Sequence, residues 1–145
     1  MPTWYLIRHG KTIWNQENRV QGNSDTLLSD QGLLQIKRLP SKLVTANFTA
    51  AYSSDLLRCV NTAQAAIEGR ELTVQLEPAV RECSYGEGEG LLYTEIRDRY
   101  PDGYARYHSR ELEFSPPGGG ESVKDIFARV SQFSGRLRAT HSEED

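Results

Sequence analysis

At 145 residues the chain has room for one hydrophobic core and too little for two. Its 37% hydrophobic and 26% charged residues exclude a disordered or membrane-embedded composition. With 17 Lys and Arg against 20 Asp and Glu, the net charge of -3 gives no overall field to draw nucleic acid or an anionic membrane, so any bound anion must be held by a local cluster.

Cys59 and Cys83 lie outside any CxxC or Cys/His ligand spacing, which reads as two buried thiols in a reducing compartment. No charged-then-apolar leader opens the chain, and no apolar run approaches the ~20 residues that span a bilayer. A cytoplasmic protein is expected.

In chain order, "WYLI" at 4 to 7 is a short apolar run that predicts a buried strand of a parallel sheet. A turn-rich stretch follows from Asn15 to Asp25. Ser29 before "DQGLLQIKRL" predicts a helix with a serine N-cap, and Pro40 is expected to end or kink it. "FTAAYS" at 48 to 53 predicts a second strand, with "SSD" at 53 to 55 capping the next helix. There Val60, Ala63 and Ile67 form the apolar face, and Arg58 and Thr62 lie four apart on another. Alternation of Leu72, Val74 and Leu76 predicts a third strand.

The glycine-rich "RECSYGEGEG" reads as an irregular loop, and "TEIRDRY" and "GYARYHSREL" as short helices separated by Pro101. After "SPPGGGES", Val123, Ile126, Phe127, Val130, Phe133 and Leu137 share one stripe, and Ser122 with Asp125 makes a capping box. A helix of about four turns is expected. Strands alternating with helices argue an α/β domain with a mostly parallel sheet.

In such a sheet, ligands bind beyond the carboxyl ends of the strands, where Arg8, His9 and Gly10 emerge. Gly10 permits close approach of backbone to a ligand, and Arg8 offers a planar fork for phosphate or carboxylate oxygens. Arg58, in the first turn of the helix after the second strand, sits beside free N–H groups that favour an anion. Glu82 follows the third strand and suits a proton donor to a leaving alkoxide; Glu87 and Glu89 are rivals, ranked lower because flanking glycines suggest mobility. The structural alternatives are a satisfied loop histidine, a surface arginine, and a salt bridge of Glu82 with Arg81 or Lys11.

These residues reach a known family. "LIRHGKTIWN" resembles the N-terminal signature of the histidine phosphatase superfamily, phosphoglycerate-mutase-like branch. "RVQG" at 19 to 22, "LSDQG" at 28 to 32, "AYSSDLLRCVNTA" at 51 to 63, "RECSYGEGEG" from 81 and "PPGGGES" at 116 to 122 follow in the family's order. The resemblance implies a three-layer α/β/α fold with His9 as a nucleophile that is phosphorylated and then hydrolysed. It further implies Arg8 and Arg58 on the phosphoryl oxygens, Asn15, Gln21 and Gly22 lining the phosphate pocket, Glu82 as proton donor, and no metal or other cofactor.

Two departures stand out. Lys11 occupies a position commonly acidic in the family. The family pattern also continues beyond the long helix with an apolar strand ending in His-Gly, the second histidine of the pocket, whereas this chain stops at "THSEED". His141 and His108 lack that context and read as solvated histidines. A single domain over residues 1 to 145, incomplete at its C-terminal end, is expected, and an unpaired sheet edge favours homo-oligomers.

The expected activity is phosphomonoester hydrolysis of a small phosphorylated metabolite, without nucleic acid or membrane partners. The alternatives are phosphoglycerate-mutase-type transfer, for which Arg81, Arg97 and Arg99 are available cations, and a non-catalytic phosphate-binding domain. Selectivity is expected from residues 85 to 115.

Overall fold

The computed structural model describes residues 3–141. Along the chain come α1 (Ile13–Glu17), α2 (Asp30–Ile36), α3 (Leu39–Lys42), β1 (Ala51–Ser53), α4 (Leu57–Ala66), β2 (Val74–Leu76), α5 (Tyr93–Arg99), α6 (Pro101–His108) and α7 (Val123–Thr140). 3-10 turns lie at Pro78–Val80 and Gly86–Gly88. β1 and β2 pair in parallel, Ala51 against Val74 and Ser53 against Leu76. A parallel pair needs a crossover, which α4 supplies. The α/β class with parallel pairing therefore holds, with two strands in the sheet among the described residues.

Local signals placed the helix ends well. Ser29 accepts from the Gly32 amide at 3.1 Å. Ser122 and Asp125 close their capping box, with Ser122 Oγ accepting from the Asp125 amide at 3.1 Å. Pro101 and Pro40 each occupy the first turn of a helix, where a missing N–H costs nothing; Pro40 opens α3 rather than kinking α2, which ends at Ile36.

Three expectations are corrected. The stretch from Asn15 begins inside α1, whose capping box pairs Thr12 with Asn15: each side-chain oxygen accepts from the other residue's amide at 3.1 Å. The run "WYLI" joins no strand ladder among the described residues, and Leu6 is 92% exposed. With β1, Phe133 and Leu137 it borders an open groove of about 680 Å³. Lastly, "SSD" does not cap α4. The cap residue is Leu56, and the Leu57 amide donates to Asp25 from a distant loop at 2.8 Å.

The packing of α4 adds a buried, largely polar face to the apolar one. Arg58, Thr62 and Ala66 are its buried residues, while Val60, Ala63 and Ile67 are half-buried. On α7, Phe133 is buried and stacks edge-on with Tyr52, but Phe127 at the other end of the stripe is exposed. Among the described residues no helix is long and apolar enough to cross a membrane.

Candidate active site

Gly10 fixes the turn that carries His9. A Cβ there would stand 2.9 Å from both the Gly32 carbonyl oxygen and Ile36 Cγ2, so only glycine lets this segment lie against α2. Its amide donates to Thr62 Oγ1 at 3.0 Å, and Thr62 donates onward to the Arg58 carbonyl at 2.7 Å. The polar face of α4 is thus what holds the turn.

His9 Nδ1 lies 2.8 Å from the Gly10 carbonyl oxygen, which can only accept, so Nδ1 carries the proton and the neutral ring keeps its lone pair on Nε2. Burial pushes the His9 pKa below its ordinary 6.5; the bond to Gly10 opposes this, and the charges of Arg58 and Arg8 add to it against a weaker raising effect of Glu82. The site favours a neutral imidazole beside two cations.

Arg58 is completely buried. Its Nη2 donates to the Gly22 carbonyl at 2.6 Å and Nη1 to the Ser24 carbonyl at 2.9 Å, while Nε has no acceptor. Among the described residues no carboxylate pairs with it. A buried guanidinium held only by carbonyls is a strong attractor for an anion.

The segment that Arg58 grips is built with care. Gly22 has φ +58°, in the left-handed region, and Thr12 donates to Gln21 Oε1 at 2.5 Å. Glu89 accepts from the amides of Asn23 at 2.9 Å, Ser24 at 2.8 Å and Tyr85 at 3.1 Å, and from Ser24 Oγ at 2.5 Å. Glu89 is therefore occupied as a strut rather than mobile. Glu87 accepts from the Tyr100 hydroxyl at 3.0 Å on the surface.

Glu82 has an exposed side chain whose charge acts on His9. Arg81 forks onto Asp55, and Lys11 Nζ donates to Gln31 at 3.1 Å, so the two cations weighed as structural partners of Glu82 are engaged elsewhere. Arg97 pairs with Asp98 on the surface at 3.1 Å. Asn15 serves the cap of α1, and Arg8 is exposed next to His9.

His141 is half-buried and meets the Tyr52 hydroxyl at 3.0 Å, a more specific setting than a solvated histidine. His108 is exposed against the Tyr104 ring. Cys83 is buried as expected, but Cys59 is half-buried at the groove. In the stretch expected to set selectivity, α6 folds back so that the Tyr107 and Tyr85 hydroxyls meet at 2.8 Å.

Sequence reasoning missed Thr12, Thr62 and Glu89 as residues that build this region; only Thr62 left a signal, its place one turn beyond Arg58. Among the described residues no group of three His, Cys, Asp or Glu side chains is placed to hold a metal ion.

Comparison with known proteins places the chain in a family. Residues 4–145 match the profile of the histidine phosphatase superfamily (branch 1). The chain is 34% identical to phosphoglycerate mutase-like protein 4 of Arabidopsis thaliana, over 96% of this chain and 61% of that protein. It is 33% identical to phosphoserine phosphatase 1 of Hydrogenobacter thermophilus, over 94% and 64%. Among solved structures, Bacillus stearothermophilus YhfR superposes with a TM-score of 0.86 at 29% identity, over 94% of this chain and 67% of that one. The chain thus spans a little over three fifths of the length of these curated relatives.

Proposed function

The chain belongs to the histidine phosphatase superfamily, branch 1, and from that premise we propose that it hydrolyses the phosphomonoester of a small metabolite through a phosphohistidine on His9, without a metal ion. The observation that carries the reading is the proximity of a neutral His9, its lone pair on Nε2, to the charge of the buried Arg58 guanidinium, which pairs with no carboxylate among the described residues.

His9 Nε2 forms a bond to phosphorus as the ester P–O bond breaks, and Glu82 gives its proton to the departing oxygen. Water then attacks the phosphohistidine and passes a proton to the Glu82 carboxylate. The P–N bond breaks, inorganic phosphate leaves, and His9 regains its lone pair. Arg8 and Arg58 hold and neutralise the phosphoryl oxygens, with Gln21, Gly22 and Asn15 lining the pocket. Because the transition state is loose, positioning and charge neutralisation carry the catalysis. The cytoplasmic setting belongs to the same proposal.

A mutase-type reaction is the second reading, favoured by the name of the Arabidopsis relative. The engagement of Arg81 by Asp55 supports hydrolysis, since it removes a cation that a second phosphate would use.

The test is the time course of p-nitrophenol release from p-nitrophenyl phosphate, with His9→Ala in parallel and chelator present. Sustained release lost in the variant supports the phosphatase. Phosphate-dependent thermal stabilisation without release would instead identify a binding domain. Phosphate appearing on an added phosphoglycerate rather than in solution would identify a mutase.

A further inference from the structure

The exposed side chain of Glu82 stands on a backbone held from behind. Arg129, on the second turn of α7, forks onto Glu121, Nε to Oε1 at 2.7 Å and Nη2 to Oε2 at 2.9 Å. Its remaining donors reach the Ala79 carbonyl at 2.7 Å and the Glu82 carbonyl at 3.2 Å. Glu121 in turn accepts from the Ser84 amide at 2.9 Å, and its own amide donates to the Ser84 carbonyl at 2.8 Å. The loop is thus tied at residues 79, 82 and 84, on both sides of Glu82 and at Glu82 itself.

The pair is well placed for this work. Both side chains are mostly buried, 20% and 25% exposed, so solvent screens the fork little. Arg129 holds the Glu121 carboxyl below the usual carboxylate range, which keeps it charged. Glu121 immediately precedes the capped start of α7, so the anchor rests on a regular element.

We propose that Arg129 and Glu121 are positioning residues that set the place and direction of Glu82, and thereby its reach to the leaving-group oxygen. The inference rests on the reading of Glu82 as proton donor. Neither residue touches the substrate. A strut for the acid matters in proportion to how much the leaving group needs a proton, which sets it apart from a strut for the fold at large.

The experiment compares two esters in the full chain. Glycerol 2-phosphate leaves as a basic alkoxide and needs the acid, whereas p-nitrophenyl phosphate leaves as a stable phenolate and needs it little. Glu82→Gln defines what loss of the acid looks like. Arg129→Met is expected to lower the alkyl-ester rate by about tenfold or more, with the aryl-ester rate and the affinity for inorganic phosphate kept within about threefold. Glu82→Gln/Arg129→Met is expected to shift the alkyl-to-aryl ratio no further than Glu82→Gln alone.

Equal loss on both esters beside a selective loss in Glu82→Gln overturns the proposal alone, as does a matching loss of phosphate affinity. An unchanged ratio in Glu82→Gln removes the acid assignment and this inference with it. Arg129→Lys keeps the charge but cannot form the fork and reach both carbonyls, and gives the same reading if Arg129→Met does not fold by circular dichroism.

Discussion

Glu89 and Arg58 hold one short segment, Gly22 to Ser24, by its two kinds of backbone group. The carboxylate takes the amides of Asn23 and Ser24, and the guanidinium takes the carbonyls of Gly22 and Ser24. The segment has little freedom to shift, and the buried cation inherits its position from the strut behind it. Since Glu89 also accepts from the Tyr85 amide, this segment and the loop that follows Glu82 share one support.

Removing that support should therefore act on stability and on anion binding together. Glu89→Ala leaves three backbone amides without their charged acceptor, a cost on the order of 3 kcal/mol. A melting temperature lower by roughly 10 °C is expected, together with weaker binding of inorganic phosphate in a calorimetric titration. If Glu89→Ala kept its melting temperature and lost turnover only on alkyl esters, Glu89 would be the acid and the strut assignment would be wrong.

The same segment makes a sharper prediction at Gly22. Its φ of +58° disfavours any L side chain, and an added Cβ would stand 2.2 Å from Glu89 Oε1. Gly119 has φ +87° with nothing within 4 Å of such a Cβ, so it isolates the backbone cost. Gly119→Ala should cost about 1 kcal/mol, and Gly22→Ala distinctly more, with weakened phosphate binding only in the latter. Equal losses in chemical denaturation would show that the contact with Glu89 gives way freely.

How much of this was legible in the sequence depended on distance along the chain. Ser29 and the Ser122–Asp125 box act over three residues, so their pattern states the cap outright. The cap of α1 hid because asparagine stands where glutamate or glutamine makes the usual box. The amide at the start of α4 is satisfied by Asp25, a contact that no local pattern announces.

Apolar content suggested that "WYLI" would be buried, but burial of a strand is decided by its neighbours, and the groove beside it stays open among the described residues. The reading of α4 fell short for a chemical reason. Arg58 and Thr62 look like a solvated face by residue type, yet both are buried because backbone carbonyls and an amide satisfy most of their polar atoms. Glycines around Glu89 suggested mobility; instead Gly88 packs against Ile96 and Gly90 against the Trp14 ring, and it is the distant Gly22 that makes room for the Glu89 carboxylate.

The two thiols should separate in reactivity. Burial, aided by the charge of Glu121, pushes the Cys83 thiol up to about 11, from an ordinary 9.0. At pH 8 its thiolate population is then about 100-fold smaller than that of an ordinary cysteine, and the side chain is covered as well. Alkylation by iodoacetamide followed by peptide mapping should modify Cys59 first and Cys83 only on unfolding. Early labelling of Cys83 in the folded chain would contradict its burial.

His9 gives the chain a pH signature of predictable sign. Its pKa in the folded state lies below the ordinary 6.5, because burial and the Arg58 and Arg8 charges disfavour the imidazolium. Between the folded-state pKa and 6.5 the unfolded chain holds more protons than the folded one, so His9 makes stability rise with pH across that window. Above 6.5 it exerts no such effect, and below the folded-state pKa the penalty is complete. The Cε1 proton of His9 should titrate by NMR with a midpoint below 6.5, and His9→Asn should remove that part of the stability slope. A midpoint at or above 6.5 would mean that Glu82 and the Gly10 carbonyl outweigh burial and the two arginines, and the proposed nucleophile would then be protonated over much of the range in which it must attack.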